Sequence, residues 1–319
     1  MSIASHKELQ AFLKQYPEIT MLELLMPDLN GILRCKRIPV SEFDTFFNHG
    51  VKGPESTTLL NVLGEFCDEL NFVMAEGDPD KLILPVANSL APITWLKSDT
   101  AQILATFAQL DGTPAEYDCR NVLINALKPL YAMDLKPVVA TELEFYLVEA
   151  GADGLPKPKL AKVPGTSTDQ VGTQYAMPED LWDNDEFLDA VRRACEAQNV
   201  PMTTVHSEFS PGQYEINLHH VDDPVAACDH GILLKRIVKG VAREHGMAAT
   251  FMAKPFTEIA GSGLHIHFSL YNAQGENIFA DPDSDHTPAI SDSLRHAIGG
   301  LAETMAESMA IFAPNANSF

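Results

Sequence analysis

Apolar residues recur with a period near 3.6 in some stretches of the chain and near 2 in others, and the switches between them predict the elements. Over Ser5–Gln15, Leu9, Phe12 and Leu13 share one helical face, and Pro17 stops the run. The next stretch, TMLELLMPDLNGILRCKRIPV, leans toward β-structure on both sides of Asp28-Leu29-Asn30-Gly31. Asn and Gly tolerate positive φ, so this stretch predicts a hairpin. Further strands are expected over Asn71–Ala75 and Ile103–Leu110, the second closed by Asp111-Gly112. Residues 1–113 thus read as a small β-rich domain.

From residue 114 to 319 strands and helices alternate. Helices are predicted over Asn121–Ala132 and Asn184–Ala197, and strands over Val138–Val148, Thr203–Glu208 and Glu215–His219. A long helix opens at Asp222-Asp223-Pro224 and closes at His245-Gly246, in keeping with the macrodipole and with the Pro-first, Gly-last asymmetry. Strands over Ala249–Ala253 and Leu264–Tyr271 and a helix over Ile290–Ile311 complete this second domain. Gly151–Thr168, rich in Gly, Pro and Lys, reads as a loop within it, and no internal repeat is present.

Composition changes this picture in three ways. With 319 residues, 45% of them hydrophobic, the chain can bury a large core or two smaller ones. Acids outnumber bases 44 to 22 for a net charge of -22, which argues against a phosphate-neutralising surface and hence against nucleic acid as a partner. No apolar run approaches the roughly 20 residues that span a bilayer. The start MSIASHKELQ also lacks a leader layout, so no membrane association and a cytoplasmic location are expected. Cys35, Cys67, Cys119, Cys195 and Cys228 show no C-x-x-C spacing and read as reduced thiols.

Three segments carry candidate chemistry. In VVATELEFYLVE the period of 2 places Glu142, Glu144 and Tyr146 on one strand face, the two carboxylates roughly 6–7 Å apart. Taken alone this also fits a strand with its polar side in water. In HSEFSPGQYEINL a Pro-Gly turn separates Glu208 from Glu215, either as a surface hairpin or as a fold that returns both acids to one point. In GSGLHIHFSL, His265, His267 and Ser269 share a face after a flexible Gly-Ser-Gly turn, where a structural role for the histidines is equally open. Jointly, Glu142, Glu144, Glu208, Glu215 and His265 make an oxygen-rich donor set that suits Mg2+ or Mn2+ better than Zn2+. Two such ions would neutralise phosphate oxygens in phosphoryl transfer, yet no P-loop or kinase-type glycine loop is present.

These segments, in this order and followed by APNANSF, resemble the glutamine synthetase superfamily, in detail its γ-glutamylpolyamine (γ-glutamylputrescine) synthetase branch. The detail lies in DLNGILRCKRIPV, VVATELEFYLVE, SPGQYEINLHH, ATFMAKPF and AGSGLHIHFSL. The resemblance implies an α+β fold with a β-grasp N-terminal domain (1–113) and a catalytic domain (114–319) built on a curved antiparallel sheet with flanking helices. It implies a homo-oligomer, commonly a double hexameric ring. By motif position, Glu144, Glu208 and Glu215 would hold one metal, and Glu142 and His265 the second, with Glu144 and His265 counted as catalytic. His267 and Ser269 would bind ATP, and Gly261 and Glu144 would contact glutamate. The implied reaction phosphorylates the glutamate γ-carboxylate with ATP, after which an amine displaces phosphate to give an amide.

Two departures bear on that reading. Where ammonia-using members carry an Asp-Gly-Ser-Ser flap, this chain has Val51-Lys52-Gly53-Pro54-Glu55-Ser56-Thr57, which favours putrescine or another polyamine over ammonia. Glu55 is read there as surface decoration in preference to a substitute acid. The chain also stops at Asn317-Ser318-Phe319, ahead of the family's remaining metal carboxylate and arginines, and so reads as C-terminally truncated. The alternatives are a glutamine synthetase using ammonia, a non-catalytic ring-forming scaffold of the same fold, and a metallohydrolase using the same carboxylates.

Overall fold

The computed structural model describes residues 2–66, 77–96, 99–283, 287 and 289–318, so the strand expected over Asn71–Ala75 lies outside the described residues. Helix α1 (His6–Gln15) starts where the Ser5 hydroxyl accepts the Glu8 N–H at 3.2 Å, and it turns Leu9 and Phe12 inward. The predicted hairpin is present as β1 (Met21–Pro27) and β2 (Leu33–Pro39), paired from Met21 with Pro39 to Pro27 with Leu33. Its turn is held by Asp28, whose Oδ1 accepts the N–H groups of Asn30 and Ile32 at 2.8 Å each, while Arg34 grips Oδ2 with two donors.

The chain divides into two compact units, Met1–Lys128 with Glu196–Asn199, and Pro129–Cys195 with Val200–Phe319. In the first, β1 and β6 (Thr100–Ala108) form a central parallel pair. Strands β4 (Asp80–Pro85) and β3 (Val51–Pro54) extend the sheet in the order β2-β1-β6-β4-β3, with β5 (Ala91–Pro92) beside β6. All nine residues of β6 are buried, so its apolar run is continuous and its ends could not be read from alternation. Helix α2 (Phe43–His49) supplies Phe43, Phe46 and Phe47 to a core shared with Leu9, Leu22, Leu24, Ile103 and Phe107.

The second unit is organised by β7 (Lys136–Ala150). Along one of its edges lie β10 (Gln213–Leu218) and β8 (Pro156–Pro158), a strand inside the stretch expected as loop. Along the other lie β12 (Leu264–Tyr271) and β11 (Ala248–Thr250), and β9 (Met202–Ser207) pairs outside β10. Every pairing is antiparallel. Helix α3 (Cys119–Ala132) precedes this sheet, and α4 (Pro178–Trp182) and α5 (Asp185–Ala197) follow β8. Helix α6 (Pro224–Glu244), capped by the Asp223 carboxylate, packs on β7 with a buried face that includes Leu233, Leu234, Ile237, Val238 and Val241. Helix α7 (Asp292–Phe312) follows β12, with a short 3-10 turn over Ala316–Ser318 after it. Among the described residues no helix is long and apolar enough to cross a membrane.

Candidate active site

Strand register assembles the site. Successive side chains on a strand alternate faces, and directly paired residues share one. Glu144 on β7 pairs with Glu215 on β10, which pairs with His206 on β9. One step along, Glu142 pairs with Asn217 on one side and His265 on the other. Two adjacent cross-strand rows therefore place acids and imidazoles from four strands on a single face. Glu208 joins them because the chain reverses through Ser210-Pro211-Gly212, where Gly212 has φ +77° and an added Cβ would sit 2.8 Å from the Lys159 carbonyl oxygen. The turn thus returns the two glutamates to one point.

Among the described residues two groups of donors result, and each keeps its ligand atoms within 4.8 Å of one another: Glu142, Glu215 and His265, and His206, Glu208 and Glu215. Glu215, 6% exposed, belongs to both. His265 Nδ1 lies 3.2 Å from Glu142 and 3.8 Å from Glu215, while His206 Nε2 lies 2.9 Å from Glu208 and 3.6 Å from Glu215. Burial, together with Glu142 and Glu208 nearby, pushes the Glu215 carboxyl above its ordinary pKa despite a hydrogen bond from Asn217. At Glu142 burial acts in the same direction, but hydrogen bonds from His267 and Asn217 outweigh it and the pKa falls below the usual value.

Glu144 lies in the same row but outside both groups. Its Oε2 accepts the Gln213 amide and the Gly263 N–H, each at 3.0 Å. The Gly-Ser-Gly turn is shaped by close approach: a Cβ on Gly261 would lie 2.6 Å from the Ala253 carbonyl oxygen, and one on Gly263 would lie 2.9 Å from Glu144 Oε1. The Gly261 carbonyl accepts from Gln213 at 2.8 Å, and Tyr146 donates to the Ala260 carbonyl at 2.7 Å, so this turn forms a wall beside Glu144. Asn317 bonds the backbone of Lys254 in both directions, joining the Ala316–Ser318 turn to AKPF. His267 reaches Glu142 at 2.9 Å, and Ser269 follows it on the same face of β12, paired with Val138.

Sequence reasoning missed His206, Gln213 and Asn217. The first had a signal, since His206 and Glu208 are two apart and share a side, but the amides gain meaning only from the register. In the other unit, Glu55 is not surface decoration: it is buried, its carboxylate accepts the Tyr117 N–H at 3.2 Å, and burial raises its pKa. Desolvation explains why an acid in a polar stretch turned inward only with a backbone donor to meet it.

Carboxylates with a minority of imidazole nitrogens around a shared, buried glutamate form a donor set for hard divalent cations. A curved antiparallel sheet carrying such a set on one face defines the class of catalytic domain to which the sequence pointed. Residues 116–319 match the glutamine synthetase catalytic domain, and the chain belongs to the glutamine synthetase family. It is 38% identical over 315 residues to γ-glutamylputrescine synthetase PuuA of Escherichia coli (strain K12), covering 98% of this chain and 65% of that protein. It is 30% identical over 305 residues to glutamate–isopropylamine ligase of a Pseudomonas species, covering 94% and 64%. The chain therefore spans less than two thirds of the length of these relatives. Among solved structures, a GmaS/ADP complex superposes with a TM-score of 0.80 at 23% identity over 98% of this chain and 66% of that one, which supports the fold.

Proposed function

We propose that the chain forms the catalytic scaffold of an ATP-dependent ligase joining the γ-carboxylate of glutamate to an amine, with Glu215 shared between two divalent cations. The sharing of Glu215 by two three-donor groups is the observation that carries this reading. His206, Glu208 and Glu215 serve one cation, with Glu144 beside them as a further donor, and Glu142, Glu215 and His265 serve the other. Mg2+ or Mn2+, when bound, supplies neutralisation of the charge that builds on phosphate oxygens during transfer.

The chain's own residues do the positioning. Gln213 and the Gly263 N–H aim the Glu144 carboxylate, and Asn217 orients Glu215. His267 fixes Glu142 and, with Ser269, lines the nucleotide end, while the backbone at Gly261 walls the glutamate end. A carboxylate is a poor electrophile, so ATP first converts it to γ-glutamyl phosphate. ADP leaves in that step; the amine then attacks the acyl carbon, phosphate departs, and the nitrogen loses a proton to solvent to give the amide, with no covalent enzyme nucleophile. The names of the two relatives, one for putrescine and one for isopropylamine, favour an amine larger than ammonia, as does the Val51–Thr57 stretch in place of an aspartate flap. Putrescine or another polyamine is the acceptor on this reading, and a cytoplasmic double hexameric ring is the assembly.

The test is ADP release from ATP with glutamate and, in parallel, putrescine, spermidine, isopropylamine or ammonia. Release that requires both glutamate and putrescine is expected. Turnover supported by ammonia alone sinks the polyamine assignment, and amide hydrolysis without nucleotide sinks the ligase.

A further inference from the structure

Behind the donor face, the same sheet carries a buried polar network that the chemistry above does not use. Ser207 and Tyr214 pair across β9 and β10, and each is one residue from a site donor, His206 and Glu215 respectively. Alternation therefore turns them to the opposite face. Ser207, fully buried, donates to the Gln174 carbonyl at 2.7 Å. Tyr214, 2% exposed, donates to the Asp180 carbonyl at 3.2 Å and accepts from Asn184 at 2.7 Å. A side-chain pair links these two ties: the Gln174 amide, with its nitrogen toward Asp180, donates to both carboxylate oxygens at 3.1 and 3.0 Å, and both residues are 1% exposed.

The segment bearing Gln174 also holds β9 along its outer edge, with Gln174 N–H donating to the Phe209 carbonyl at 3.4 Å and Ala176 N–H to the Ser207 carbonyl at 2.9 Å. In front, the Tyr175 ring meets the His206 ring edge-on at 6.0 Å. Residues 174–180 thus grip β9 at the point where it carries His206. The β9–β10 register shifts nearby, between Asn217 and Leu218, where the ladder is locally disrupted. A carboxyl placed this deep is costly to bury unless hydrogen-bonded, and here its side-chain partner belongs to the segment that holds the strand.

We propose that Asp180, Gln174, Ser207 and Tyr214 are positioning residues that lock β9 against β10 from behind and so set the cation affinity of the His206, Glu208 and Glu215 group. This rests on reading that group as a cation site. None of the four is a donor, so their effect passes entirely through the placement of His206 and Glu215.

The test is a calorimetric Mn2+ titration of the full chain and of Ser207→Ala, Asp180→Ala, Asp180→Asn and, as control, His206→Ala. Ser207→Ala and Asp180→Ala are expected to weaken Mn2+ binding by about five- to tenfold. Asp180→Asn, which keeps the shape and one of the two amide contacts, should stay within about twofold of the unaltered chain. A purely structural role lowers the urea midpoint without changing the affinity of the folded protein. Ser207→Ala removes a single oxygen, so it decides the matter even where Asp180→Ala does not fold. Unchanged affinity in folded Ser207→Ala alongside weakened His206→Ala overturns the positioning role and leaves the cation site standing. No Mn2+ uptake by the unaltered chain overturns the cation-site reading and this proposal with it.

Discussion

Replacing Glu215 by Gln should stabilise the metal-free chain while removing the group on which both donor clusters depend. Glu215 is 6% exposed, and Asn217 donates to it at 3.1 Å. Carboxylate oxygens of Glu142 and Glu208 stand within 4.8 Å of it. At that separation and an effective dielectric near 20, one carboxylate pair repels by about 3.5 kcal/mol. The side chains of Glu142 and Glu208 keep 24% and 14% exposure, and His265 and His206 lie 3.8 and 3.6 Å from Glu215, so water and imidazole offset much of this. A net gain of about 1–2 kcal/mol remains for the neutral side chain, which keeps the volume and an acceptor for Asn217. The assay is urea unfolding at neutral pH with EDTA, followed by circular dichroism, where the Glu215→Gln midpoint should rise. Saturating Mn2+ should reverse the order, because only the chain that binds gains from mass action. A Glu215→Gln chain less stable than the unaltered one in EDTA would refute the electrostatic reasoning.

Three further outcomes are expected. Gly263→Ala, whose Cβ would lie 2.9 Å from Glu144 Oε1 and 3.5 Å from His265 Nε2, should shift Glu144 and weaken Mn2+ binding about tenfold by calorimetry. Gly212→Ala combines φ +77° with a 2.8 Å approach to the Lys159 carbonyl oxygen, and should cost about 1–3 kcal/mol in thermal unfolding. Burial, with Asp183 and Glu179 nearby, pushes the Asp180 carboxyl from 3.8 up to about 6, so the folded state holds that proton more tightly than the unfolded one. Its stabilising contribution is complete below 3.8 and is lost as pH rises through about 6. The Gln174 amide favours the ionised carboxylate and offsets part of this, so Asp180→Asn should lack a decline of about 1–2 kcal/mol that the unaltered chain shows across that range.

Much of the fold was legible because its signals are local. Pro17, the Asp28–Gly31 turn, Asp223-Pro224 and the alternation in β7 and β12 each follow from short-range chemistry. What escaped was set at a distance. Strand β6 is buried throughout, which erases alternation; β3 and β4 are short and take their place from pairing with each other and with β6. In the site, Glu142, Glu208, Glu215 and His265 were found as residue types at telling positions. His206 completes a group only through its pairing with Glu215, and Glu144 turns toward Gln213 and Gly263 because those donors come from β10 and from the turn before β12. Glu55 was misread because exposure had to be guessed from polarity, while Tyr117, sixty-two residues later, supplies the backbone donor that permits its burial.

The central claim, that one buried glutamate is shared by two cation sites, is tested most directly by Mn2+ stoichiometry in the unaltered chain and in Glu215→Ala. Calorimetric titration should find two ions per chain, with both lost or severely weakened together in Glu215→Ala. Uptake that is unchanged by the substitution, or loss of one ion with the other bound as tightly as before, would contradict it.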